Sequence, residues 1–62
     1  LGASLQEVAD TITAASAAGI SVDLEAAAEG LGFDSFADAV AAYNKQHGTN
    51  YTVDQAREAL GQ

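Results

Sequence analysis

Nine carboxylates, one imidazole and no thiol make up the reactive stock of this 62-residue chain. Two carboxylates can work as general acid and base only where a pocket holds their pKa values apart. Fifteen residues are Ala and only fifteen are larger hydrophobes, so the interior can hardly enclose such a pocket. No catalytic residue is assigned, and the chain is expected not to be an enzyme. His47 has no nucleophile beside it and reads as a cation in the last turn of a helix. Without Cys there are no disulfides, thiolate zinc sites or cysteine nucleophiles. One His precludes a multi-His metal centre within a single chain. No metal is expected, although Glu25 and Glu29 would be the first ligands to examine if calcium raised the melting temperature. Asn50-Tyr51-Thr52 matches the N-glycosylation acceptor pattern. Thr52 is better explained as a helix cap.

These side chains must be carried by helices. Ser4-Leu5-Gln6-Glu7 fits a capping box. Leu5, Val8, Ala9 and Ile12 then recur at helical spacing, up to a stop near Gly19. Ser21 or Asp23 caps a second helix with the stripe Leu24, Ala27, Ala28 and Leu31. Gly30 and Gly32 are expected to end it loosely. Asp34 or Ser35 caps a third, whose stripe of Phe36, Ala39, Val40 and Tyr43 is the clearest apolar face in the chain. Gly48 ends it. Thr52-Val53-Asp54-Gln55 is a second capping box, and Val53, Ala56 and Leu60 share one face before Gly61. No segment alternates with period two. The expected fold is all-α, a small bundle of three to four short helices forming a single domain over residues 1–62. Phe36, Val40 and Tyr43 should meet Leu5, Val8 and Ile12 at its centre.

The formal net charge is −7, with Lys45 and Arg57 the only Lys or Arg. So few cations cannot neutralise many phosphates, so no nucleic-acid partner is expected. Anionic membrane surfaces would repel the chain, and no apolar run is long enough to span a bilayer. Many of the acids fall in first turns (Glu7, Asp23, Glu25, Asp38, Asp54), where they complement helix dipoles. The natural partner is a protein with a basic or apolar groove. A homodimer is a second expectation, because Ala faces pack as closely between chains as within one. Leu1-Gly2-Ala3 lacks a Met and a basic stretch, and reads as a processed or trimmed start, not a signal peptide. A cytoplasmic location is expected.

Residues 36–60, FADAVAAYNKQHGTNYTVDQAREAL, resemble the C-terminal part of nitrogen-fixation-type (Nif-eleven-type) leader peptides of ribosomal natural-product precursors. In that family a helix of small and apolar residues ends in Gly. A turn with an aromatic and a Thr follows, then an amphipathic helix. Gly48, Tyr51, Thr52, Asp54, Gln55 and Leu60 stand in register with that pattern. The resemblance implies a non-catalytic recognition module, gripped by a peptide-modifying enzyme during natural-product biosynthesis. Val53, Ala56 and Leu60 would be the helical handle and Tyr51 the aromatic anchor. No Gly-Gly or Gly-Ala cleavage pair stands after residues 36–60, where Gly61 is followed by Gln62.

Leu31-Gly32-Phe33-Asp34-Ser35-Phe36 also resembles the attachment motif of acyl and peptidyl carrier proteins. That likeness implies 4'-phosphopantetheine on Ser35, with Asp34 as a recognition partner, at a helix start whose free N–H groups suit an anion. Ala39, Val40 and Ala41 stand where carriers place a hydrophobe, an acid and a hydrophobe. The shorter Leu31-Gly32-Phe33 is similar to the first loop of ubiquitin-associated domains, which implies an acidic protein-interaction domain.

Overall fold

The computed structural model describes residues 4–62; the expected processed start at residues 1–3 lies outside the described residues. Four helices follow one another: α1 (Leu5–Ala17), α2 (Leu24–Gly30), α3 (Phe36–His47) and α4 (Val53–Ala59). With no strand among the described residues, the fold is a small all-α bundle.

Each helix starts on a side-chain oxygen that accepts from the first turn, satisfying donors the helix itself leaves unpaired. Ser4 accepts from the Glu7 N–H at 3.2 Å. Asp23, not Ser21, caps α2, its carboxylate accepting from the N–H groups of Glu25 and Ala26 at 3.1 and 3.2 Å. Ser35, not Asp34, caps α3 and accepts from the Asp38 N–H at 3.2 Å. At Thr52 the capping box is complete: the hydroxyl accepts from the Gln55 N–H at 3.1 Å, and the Gln55 side chain accepts from the Thr52 N–H at 3.0 Å.

The stop of α2 is tighter than expected. Gly30 lies within α2, and Gly32 turns the chain with φ 93°. There the Gly32 N–H donates to the Glu29 carbonyl and the Phe33 N–H to the Ala28 carbonyl, at 2.9 and 3.0 Å. This paired closure is a Schellman motif, and it fixes the short link between α2 and α3. The same pattern ends α4, where the N–H groups of Gly61 and Gln62 donate to the carbonyls of Glu58 and Arg57. At Gly61 φ is 76°, and an added Cβ would collide with the Ser16 side chain, lying 2.9 Å from its Cβ. The Ser16 hydroxyl donates to the Gly61 carbonyl at 2.8 Å, and the Val22 N–H donates to the Gln62 side chain at 2.9 Å. The end of α4 is thereby tied to the end of α1 and the loop after it. Gly61→Ala combines a left-handed backbone with this collision and should cost about 1–2 kcal/mol. A thermal melt checks it; an unchanged midpoint would mean that this tie contributes nothing.

Ile12, Leu24, Ala28, Phe36, Ala39 and Val40 form the buried core. Half of the expected centre is therefore corrected. Ile12, Phe36 and Val40 are buried, but Leu5, Val8 and Tyr43 are only half-buried. Leu24 and Ala28 of α2 take their place, because α2 packs closely on α3 and α4 packs on α3, whereas α1 makes no comparably close backbone approach. Small residues allow this: Ala28 against Ala39 and Val40 keeps the backbones near. Tyr43, near the far end of α3, lies half-buried at the edge of this core and turns toward α1. Its ring stacks on His47 at 4.3 Å, and its hydroxyl donates to the Gln6 side chain at 3.4 Å.

Candidate recognition site

The turn between α3 and α4 is built around Asn44. Its side-chain amide donates to the Tyr51 carbonyl at 2.9 Å and accepts from the Tyr51 N–H at 3.0 Å. The Thr49 hydroxyl donates to the same oxygen at 2.9 Å. Asn44 thus exchanges two bonds with one residue's backbone, as a neighbouring strand would. The Tyr51 backbone is held in place while the residue stays 43% exposed. One side of the ring faces Tyr43, with centroids 6.0 Å apart and planes tilted by 57°. Sequence reasoning missed Asn44. The available signal was an Asn one turn before the Gly48 stop, where a side chain can reach the following turn.

Helix α4 has no fully buried residue. Val53, Ala56 and Leu60 are half-buried and rest on the core, as their shared face predicts. Between α1 and the other helices runs a largely apolar cleft of about 230 Å³. Tyr51, Ala56 and Leu60 line it opposite Leu5, Val8 and Ile12. Val53 does not, so the structure joins three of the four expected partner-binding residues in one cleft and leaves the fourth against the core. Gaps of this kind are what a short chain leaves when one helix packs less closely than the rest.

The other candidate site lies at the start of α3. Ser35 is half-buried and Asp34 exposed. The Ser35 hydroxyl serves as the cap. Another donor of that first turn, the Phe36 N–H, donates to the Glu25 carboxylate at 3.0 Å. An anion from α2 therefore already occupies the position where this helix start would favour a phosphodiester. A second anion there would meet like-charge repulsion.

The cations lie elsewhere. Lys45 and His47 are exposed in the last turn of α3, where they complement its dipole. The Arg57 guanidinium sits 5.8 Å from the centroid of the Phe36 ring and covers one side of the core. Among the described residues no group of His, Cys, Asp or Glu is clustered to hold a metal ion, and no helix is long and apolar enough to cross a membrane. Comparison of the chain with protein-family models, curated proteins and solved structures finds no match.

Proposed function

We propose that this chain is a non-catalytic recognition module of the leader-peptide kind, bound in the cytoplasm by a peptide-modifying enzyme. The observation that carries this reading is the contrast within its C-terminal third. The turn before α4 is held by the bonds of the Asn44 side chain and presents an exposed aromatic, while α4 itself has no fully buried residue. A handle needs both properties: an ordered anchor lowers the entropy lost on binding, and a lightly buried helix leaves much of its surface open to a partner's groove. The charge of −7 favours a basic groove. The likeness of residues 36–60 to Nif-eleven-type leaders points the same way. The test is fluorescence anisotropy of the labelled chain against a lanthipeptide-type modifying enzyme that accepts such leaders. Tyr51→Ala and Leu60→Ala should each weaken binding. Wild-type affinity in both variants would overturn the assignment.

The competing assignment, a carrier with phosphopantetheine on Ser35, has its own measurement. With Glu25 already at the start of α3, the chain should keep its unmodified mass after co-expression with a phosphopantetheinyl transferase. A gain of roughly 340 Da, abolished by Ser35→Ala, would mark Ser35 as the nucleophile that carries the group and would replace the leader reading.

A further inference from the structure

A second, shallower cleft opens on the outer side of α4. It is lined by Asn50, Tyr51, Gln55, Glu58 and Ala59. Glu58 and Ala59 lie three and four residues after Gln55 and share its side of α4, beside the Val53, Ala56 and Leu60 stripe that rests on the core. Tyr51 and Ala59 stand at the boundary and contribute to both clefts. We infer that this outer cleft is a seat for an arginine side chain supplied by a basic partner. The inference names the partner's chemistry for the recognition role proposed above and rests on that reading for its source.

The components match a guanidinium one by one. Tyr51, an exposed residue whose backbone Asn44 holds, offers an aromatic face. A planar cation stacks on such a face more favourably than a compact, strongly hydrated ammonium does. Glu58 supplies a carboxylate in the same cleft, able to take two parallel N–H bonds from the guanidinium fork. The Asn50 side chain adds a further carbonyl acceptor. Ala59 lacks bulk and leaves an apolar floor for the methylene stem. Among the described residues no cation lines the cleft. Arg57, on the same helix, lies over Phe36 instead. A net charge of −7 raises the local concentration of any basic partner. Glu58 is thereby more than the contributor to association rate that an exposed acid would be expected to be.

The seat can be tested on the chain alone. The probe is a blocked alanine peptide carrying one arginine, with lysine and citrulline counterparts, titrated into the ¹⁵N-labelled chain and followed by NMR. Saturable shifts should be confined to Asn50, Tyr51, Gln55, Glu58 and Ala59. Arginine should bind about three- to fivefold more tightly than lysine, and citrulline should not saturate. Glu58→Gln should weaken the arginine peptide about threefold. Tyr51→Leu, which keeps apolar bulk but loses the aromatic face, should do the same with the helical signal unchanged. Equal shifts from lysine and arginine, spread over Glu7, Asp38 and the other acids, would overturn the inference and leave only the general field. The two proposals fail separately. If the arginine peptide does not seat but Tyr51→Ala still weakens enzyme binding, this inference falls and the recognition role stands. If the peptide seats and the enzyme does not bind, the seat stands and the leader role falls.

Discussion

Val40→Asp should unfold this protein. Val40 is 7% exposed and sits in the core with Ile12, Leu24, Ala28, Phe36 and Ala39. No polar or charged residue is buried among the described residues, so nothing there can receive a carboxylate. An unpaired buried charge costs at least about 3–5 kcal/mol even after the protein relaxes. A 62-residue chain with a thin core has only about 3–5 kcal/mol of stability in total. The substitution also raises an already large negative charge. The expected result is loss of the helical circular-dichroism signal at room temperature. Val40→Ala is the control: it removes two methyl groups, should cost about 1–3 kcal/mol, and should lower the melting temperature without abolishing the fold. A Val40→Asp protein with an unchanged melt would show that α3 turns a different face to the core.

The second large effect concerns binding. Truncating a well-placed aromatic anchor typically costs about 2 kcal/mol or more, roughly thirtyfold in affinity. Tyr51→Ala should therefore lose about thirtyfold against the modifying enzyme, because the turn that fixes the ring before binding would have nothing left to present. Its folding cost should be small, since Tyr51 is 43% exposed. Leu60→Ala should weaken binding similarly, with circular dichroism separating that loss from a loss of folding, as Leu60 also rests on the core. Asn44→Ala isolates pre-organisation. It leaves the ring intact but removes the side-chain bonds to Tyr51 and Thr49. Its binding loss should fall between wild type and Tyr51→Ala, with a smaller change in association rate than in dissociation rate. Binding that withstood all three substitutions would remove this turn from the interface.

Local chemistry made much of the architecture legible. A cap oxygen, a first-turn acid and a following glycine each act within a few residues, so they mark helix limits without help from the rest of the chain. The Thr52 box and the Gly48 stop are both where the sequence places them. The shared face of Val53, Ala56 and Leu60 is also a local property, set by helical spacing alone. Two alternatives stayed open in the sequence because either residue satisfies the same donors. Asp23 prevailed over Ser21 and Ser35 over Asp34 once the loops between helices had fixed their paths.

Tertiary structure decided the relations between elements. Periodicity identifies an apolar stripe but not what covers it, so Tyr43 looked as central as Val40. Only the packing of α2 on α3 shows that Leu24 and Ala28 belong at the centre and that Tyr43 is left half-covered at its edge. The bond from the Phe36 N–H to Glu25 spans eleven positions in the chain, and the bond from Ser16 to Gly61 spans 45. Neither leaves a trace in local pattern, since a carboxylate in a first turn is already explained by its own helix dipole. The outer cleft is of the same kind. Asn50, Tyr51, Gln55 and Glu58 are near in sequence, yet they form a cleft only because Asn44 holds the turn and α4 lies back against α3. Residue type and spacing determine which elements form and which face each buries. The distances between those faces, and therefore every cleft, depend on how closely Ala-rich helices can approach one another.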